Sequence, residues 1–155
     1  MLKLQRKLQA GFTIIELLIV IAIIGILATL VLTNFQGAQA KSRDVTRKSD
    51  INSLYQKLEE FYNENGGYPD GALSLAILPG LDAGALTDAD DNAIVSTFTA
   101  SATKPTLTQT NTNEYAYAAY GDADCIENAS GFSCTKYTLA TFMEQEDQFN
   151  KDSLN

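Results

Sequence analysis

The stretch GFTIIELLIVIAIIGILATLVL, residues 11–32, decides how this chain is organised. Residues 12–32 are almost entirely apolar, and as a helix with a rise of about 1.5 Å per residue they would span roughly 31 Å. That length matches the roughly 30 Å hydrocarbon core of a bilayer. Lys3, Arg6 and Lys7 precede the run, which predicts that the N-terminus stays cytoplasmic while the rest of the chain lies outside. The stretch therefore predicts one membrane-spanning helix.

A secretory signal peptide is the alternative explanation for a basic start followed by an apolar run. The run here is longer than the core of about 7–15 residues that such peptides have. The segment behind it offers only a loose small-residue cleavage pattern, at residues 37–40. Both observations favour a helix that the chain retains.

Glu16 is the only charged residue in the apolar run. A carboxylate costs about 2.5–3.5 kcal/mol at the centre of a transmembrane helix and less near its end. Such a residue could snorkel to the bilayer edge, but charges in membrane segments usually have a partner. No Lys or Arg lies among residues 8–40. Cleavage after Gly11 would supply a cation, because Phe12 would then carry a free amino group. That amine could compensate the carboxylate within one helix, or fix the axial offset of two neighbouring helices.

The residues GFTIIELLIVIAIIGILA closely resemble the N-terminal signature of type IV pilins and type II secretion pseudopilins. The resemblance implies a leader that ends at Gly11, cleavage between Gly11 and Phe12 by a prepilin peptidase, and N-methylation of Phe12. It also implies that Glu16 pairs with the terminus of a neighbouring subunit during assembly. Glycine, phenylalanine and glutamate at this spacing, behind a short basic leader, make the motif specific.

The apolar run departs from many pilins at Thr33, because those proteins carry a proline there. No proline kink is therefore imposed, and Gly25 remains as the weak point of the helix, at a cost of about 1 kcal/mol relative to alanine. Ala22, Gly25 and Thr29 share one helical face. Such a face fits close packing between helices, and it equally fits ordinary membrane composition.

The sequence predicts a transmembrane and assembly helix at 12–35, which contains the apolar run, and an amphipathic half at 36–65. Residues 41–48, KSRDVTRK, should stay uncovered, either as a solvated helix face or as a contact for an acidic surface of a neighbouring subunit. Gly66 and Pro69 predict the end of the helix near residue 64. The region up to Pro69 also looks like the corresponding part of major pseudopilins. An apolar stripe at helical spacing should pack on a head, and its members are Ile51, Leu54, Tyr55, Leu58, Phe61 and Tyr62.

Residues 66–155 predict a globular head, which makes the chain α+β. We expect the pilin fold, in which a long N-terminal helix packs against a small antiparallel sheet. An αβ loop should come first, with a turn or short helix at 72–78 and a strand near 93–99. Strand-forming patterns then predict two adjacent antiparallel strands, at 114–120 and 135–143. The polar segment behind them, 144–155, should be mobile.

Cys125 and Cys134 lie in the connection between those two strands. An external location favours a disulfide, and closing so short a loop would stabilise the head by about 2–3 kcal/mol in the entropy model. Two free thiols are the alternative in a reducing compartment. Similar pilins often close a C-terminal loop in this way.

Charge and composition exclude several function classes. From residue 66 onward, thirteen Asp and Glu face three Lys, and such an acidic head repels nucleic acid. The chain has no His, the commonest general base and metal ligand. We therefore expect no enzyme, no catalytic residue, no cofactor and no metal. The acidic run DADDN at 88–92 fits a plain loop better than a calcium site, because its spacing matches no EF-hand.

Three functions remain. The first is a structural subunit of a type IV pilus, and the second is a pseudopilin of a type II secretion system. The third is a minor pilin that acts as a membrane-anchored adhesion or DNA-uptake module. The resemblance implies a homo-oligomeric helical filament, with the prepilin peptidase, the assembly machinery and the membrane as partners. It implies a single-pass inner-membrane location before assembly, and an extracellular pilus or periplasmic pseudopilus afterwards.

Overall fold

The computed structural model describes residues 11–88, 91–107, 115–121, 125 and 134–155, without the side chains of 32–34. Its elements are a helix and four strands, with a short 3-10 helix at Ala83–Leu86 between them. They are α1 (Ile14–Asn65), β1 (Val95–Thr99), β2 (Tyr115–Tyr120), β3 (Lys136–Thr141) and β4 (Phe149–Asp152). The α+β, pilin-like organisation predicted from the sequence is confirmed. The chain divides into two compact units, Met1–Gln39 and Ala40–Asn155.

Helix α1 begins at Ile14 and is assigned without interruption to Asn65, as expected for a segment that lacks proline. By length and composition it could cross a membrane, since its most apolar window of eighteen residues has a mean hydropathy of 3.0. The helix ends where the sequence predicts. Gly66 has a φ of +78°, the left-handed conformation that glycine adopts at helix ends, and its N–H donates to the carbonyl of Tyr62 at 2.8 Å.

The four strands form one sheet in the order β1-β2-β3-β4. Strands β2 and β3 are antiparallel neighbours, as predicted, with Tyr117 opposite Leu139. Strand β4 pairs antiparallel with β3, whereas β1 runs parallel to β2, so the sheet is mixed where an antiparallel one was expected. Parallel neighbours need a connection of about a dozen residues or more, and the segment from 100 to 114 is long enough to supply it.

The apolar stripe of α1 forms the helical side of the core in the second unit. Ile51, Leu54 and Leu58 are fully buried there, and they belong to one hydrophobic cluster with side chains of β2 and β3. Tyr55, Phe61 and Tyr62 are partly buried against that cluster. All six residues of β2 are buried, so both of its faces are covered.

Two expectations need correction. Residues 41–48 are only partly uncovered, because Asp44 and Arg47 are 3% and 2% exposed and Lys48 is half-buried, while the other five residues are exposed as predicted. The segment 144–155 is not a mobile tail, because it contains β4 and contacts α1 through Glu144 and Gln145. The two errors have one physical cause, which is that the charges of the two segments bind each other.

Candidate functional site

The start of α1 is closed by a reciprocal pair of hydrogen bonds between Thr13 and Glu16. The backbone N–H and the hydroxyl of Thr13 donate to Oε2 of Glu16, at 3.1 Å and 2.9 Å. The backbone N–H of Glu16 donates to Oγ1 of Thr13 at 3.3 Å. Because the helix begins at Ile14, this is a capping box, in which Thr13 is the N-cap and Glu16 the third helical residue. The T-x-x-E pattern at 13–16 was the sequence signal for it, and sequence reasoning missed it.

The capping box gives the Glu16 carboxylate a partner inside its own chain. Among the described residues, its side-chain hydrogen bonds all end at Oε2, which leaves Oε1 able to accept a further donor. Gly11 and Phe12 precede the helix and are exposed, with 92% of Phe12 accessible. Cleavage at this point, methylation of Phe12 and an assembly role for Glu16 stay predictions, as does the role of Gly25 as the weak point of the helix.

The helix of the first unit exposes apolar side chains around its whole circumference. A helix that is apolar on every side is stable only in lipid or among other helices. A Cβ added at Gly25 would meet nothing within 4 Å, so this glycine is not required by any contact in the described chain. The large exposed residues between positions 12 and 31 are Phe12, Ile14, Ile15, Leu17, Leu18, Ile19, Val20, Ile21, Ile23, Ile24, Ile26, Leu27, Leu30 and Val31.

A second polar cluster lies in the other unit, where α1 meets the segment behind β3. Asp44 accepts hydrogen bonds from the backbone N–H groups of Glu144 and Gln145, both at 2.9 Å. The buried guanidinium of Arg47 bridges the two carboxylates, with NH1 at 2.7 Å from Asp44 Oδ1 and NH2 at 2.9 Å from Glu144 Oε1. Burial of these charges is tolerated because each one faces an opposite charge or a backbone donor.

Two exposed ion pairs flank this buried centre. Arg43 donates two hydrogen bonds to the carboxylate of Glu144, at 2.7 Å from Nε and 2.6 Å from NH2. The ammonium of Lys48 lies 2.6 Å from the carboxylate of Glu146. The hydrogen bond from Arg43 lowers the pKa of Glu144 to about 2, with Arg47 adding to the effect against the cost of burial. Three of the four cations in residues 41–48 are thus paired within the chain. Sequence reasoning missed the cluster because its acidic partners lie about a hundred positions away.

The disulfide between Cys125 and Cys134 is confirmed. Both residues are fully buried, and their sulfur atoms are 2.02 Å apart. The carbonyl of Cys134 accepts a hydrogen bond from the N–H of Tyr68 at 2.8 Å, so the bridge is fixed to the segment that follows α1. Residues 126–133, inside the closed loop, lie outside the described part of the chain.

The acidic run at 88–92 is described only at Asp88, Asp91 and Asn92. The carboxylate of Asp88 accepts hydrogen bonds from the backbone and side-chain N–H groups of Asn92, at 2.9 Å and 3.0 Å. Asp91 has a φ of +62°. Among the residues described, no group of three or more His, Cys, Asp or Glu is arranged to hold a metal ion.

Comparison with known proteins concerns the N-terminal segment first. Residues 6–32 match the family model described as the prokaryotic N-terminal methylation motif. The chain carries the prepilin motif. The match includes the predicted cleavage point, the capping box and the apolar run.

Named relatives of the chain belong to two classes of protein. The chain is 42% identical over 69 residues to the type IV major pilin protein PilA of Myxococcus xanthus, which is 44% of this chain and 31% of that protein. It is 39% identical over 66 residues to the type II secretion system core protein G of Aeromonas hydrophila, or 43% of this chain and 46% of the relative. The core protein G of Escherichia coli is 41% identical over 61 residues, 39% of this chain and 42% of the relative.

These relatives confirm the resemblance to type IV pilins and type II secretion pseudopilins. The chain spans less than half the length of each of the three. No solved structure matches it.

Proposed function

We propose that this chain is the structural subunit of a type IV pilus and polymerises through its N-terminal apolar helix. The observation that supports the proposal best is the prepilin motif at residues 6–32, placed at the start of a helix that is apolar on all sides. A prepilin peptidase would cut between Gly11 and Phe12, and Phe12 would then be N-methylated. Before assembly the helix crosses the inner membrane once, with its N-terminus in the cytoplasm and the second unit outside.

Apolar surface alone does not specify the filament. Lipid tails are as apolar as leucine, so moving the helix from lipid into a bundle of helices gains little from the hydrophobic effect. A buried charge pair supplies the missing specificity, since an unpaired carboxylate is costly in an apolar surrounding. The amine created at Phe12 of one subunit would bind Glu16 of the next. Oε1 of Glu16 can accept a hydrogen bond from this amine, while Oε2 keeps the hydrogen bonds that it accepts from Thr13.

A pseudopilin of a type II secretion system is the second candidate, because relatives named core protein G match the chain at similar identity. The same cleavage, helix and carboxylate would serve it. One feature favours the pilus. The disulfide closes a short C-terminal loop, with a sequence separation of 9, as similar pilins often do.

The experiment is to isolate filaments from the host cell surface and measure the intact mass of the subunit. We expect a chain that starts at an N-methylated Phe12, in filaments long enough to leave the cell envelope. Subunits that keep residues 1–11 in the filament would contradict the processing step. Filaments confined to the periplasm would support the pseudopilin instead.

The role of Glu16 is tested with two matched variants. Glu16→Ala should leave membrane insertion and leader removal intact but abolish filaments. Glu64→Ala removes an exposed carboxylate from the other end of the same helix and should assemble normally. Thr13→Val removes the hydroxyl of the capping box and keeps the carboxylate, so it separates helix capping from subunit pairing. Normal filaments from Glu16→Ala would refute the assigned role.

A further inference from the structure

We propose that residues 144–152, here called the strap, open from the second unit as one piece and are held closed by an ionic latch on α1. The latch consists of Asp44 and Arg47 on the helix and Glu144 on the strap. The strap is closed near neutral pH and is released by acid. This inference rests on contacts within the second unit and is independent of the proposed filament.

The strap lies at one edge of the sheet and buries little of its surface. Within the described sheet, β4 is an edge strand that pairs with β3 alone, and its residues alternate between half-buried and exposed. Its main apolar anchor is Phe149, which is only partly buried. By contrast, β2 is buried along its whole length, and β3 is buried except at Lys136. Short edge strands with little buried apolar surface open at lower free energy than the core they border.

The latch holds the N-terminal end of the strap, which follows β3 along the chain. Asp44 accepts hydrogen bonds from two backbone N–H groups of the strap, and Arg47 forms ion pairs with both Asp44 and Glu144. Arg43, Lys48 and Glu146 lie at its rim, and one cavity beside Arg43 and Arg47 is also lined by Asp82, Asp88 and Asp91. Asp50 and Tyr115 also belong to its surroundings, since they hydrogen-bond to each other at 2.7 Å and Arg47 acts electrostatically on Tyr115.

The opposite end of the strap has weaker attachments. Asp152 forms an exposed ion pair with Lys104 at 2.7 Å, and the ammonium of Lys151 lies 4.6 Å from the ring centre of Tyr55. Behind the strap, the N–H of Leu154 reaches Glu59 only at 3.4 Å. Apart from the pairing of β4 with β3, the latch is therefore the main attachment of the strap, since its Asp44 and Arg47 are buried.

Acid opens the strap because both latch carboxylates must be ionised to hold it. Hydrogen bonds from Arg43 and Arg47 hold the pKa of Glu144 at about 2, well below its ordinary value of 4.5. Burial alone would raise the pKa of Asp44, but the strap N–H groups and Arg47 outweigh it and lower this pKa as well. A lowered pKa in the folded state means that the stabilisation is complete above the ordinary value and disappears as the pH falls through the folded value. The contribution of Glu144 to the latch is therefore lost between about pH 4.5 and about pH 2, and that of Asp44 is also lost in acid because its pKa is lowered.

Hydrogen exchange of the full chain in detergent micelles, read by mass spectrometry at neutral pH, tests the latch. Asp44→Asn and Glu144→Gln mimic the protonated groups. Each should make peptides from residues 144–155 exchange about ten- to a hundred-fold faster, because a hydrogen bond to a charge has been lost. Peptides from β2 and β3 should keep their wild-type rates. Glu146→Gln, which removes only an exposed partner of Lys48, is the matched control and should leave the strap unchanged.

Two results would overturn the proposal. Equal acceleration across the whole second unit would show that the cluster supports the fold and no separate strap exists. Unchanged exchange in both latch variants would show that the latch does not hold the strap. The acid step has its own test, in which an acid-active protease is added to the wild-type chain near the folded pKa of Glu144. Cleavage that occurs first on the C-terminal side of β3, with the rest of the unit intact, supports release of the strap. Simultaneous cleavage throughout the unit contradicts it.

Discussion

Replacing Arg47 with methionine should destabilise the second unit far more than the same change at Arg43. The two arginines lie four residues apart on α1 and both bind Glu144, but the Arg47 side chain is 2% exposed and that of Arg43 is 45% exposed. Methionine is flexible and fills the space of the removed stem, so the change mainly deletes the charge. Removing one partner of a buried pair costs about 3–5 kcal/mol, because Asp44 would remain buried without its cation. An exposed pair contributes about 1 kcal/mol or less.

The difference is measured by urea unfolding of the full chain in detergent, followed by circular dichroism of the sheet signal. Arg47→Met should lower the free energy of unfolding by at least about 2 kcal/mol more than Arg43→Met does, given the ranges for buried and exposed pairs. The slope of the transition should stay constant, which confirms that only stability has changed. Equal losses in the two variants would refute the argument that burial gives the Arg47 pair its weight.

Three further predictions concern the same unit. Reducing the bond between Cys125 and Cys134 should lower the free energy of unfolding by about 2–3 kcal/mol, as the loop-closure model gives for so short a loop, and paired urea titrations with and without reductant measure it. Leu54→Ala should cost about 2–5 kcal/mol because Leu54 is fully buried, whereas Val45→Ala, at a site 60% exposed, should cost under about 0.5 kcal/mol in the same titration. Stability should fall as the pH drops from about 4.5 to about 2, and Glu144→Gln should flatten that fall, since a carboxyl with a lowered folded pKa stabilises only while it is ionised. An unchanged pH profile in this last variant would contradict the assignment of the shift.

The local features of the fold could be predicted from the sequence because their causes are local. The helix, its glycine end at Gly66 and the buried stripe around Leu54 all follow from the spacing of residues within a few turns. The capping box of Thr13 and Glu16 is equally local, because the T-x-x-E pattern at 13–16 predicts it. The strands at 115–120 and 136–141 follow from residues that favour extended backbone.

The remaining features depend on residues far apart in the chain. Spacing along α1 places Asp44 and Arg47 on one face, but it does not show that Glu144 will cover them. The same limit applies to β1, because its own residues do not show whether it runs parallel or antiparallel to β2. The charges of residues 41–48 fit a solvated face or a neighbouring subunit equally well until Glu144 and Glu146 are known to lie beside them.

The hydrogen bond between Asp44 and the backbone of Glu144 joins residues that are 100 positions apart. The helix is synthesised long before residue 144, which covers Asp44 in the folded chain. Contacts across so large a sequence separation form slowly, because the intervening chain has to be ordered first. During synthesis, Asp44 and Arg47 would therefore stay in water until residues 144 and 145 have been made. Without Glu144 and Gln145 this pair of charges would lose the backbone donors and the carboxylate that bind it, so the pair can be buried only after this segment has folded onto the helix.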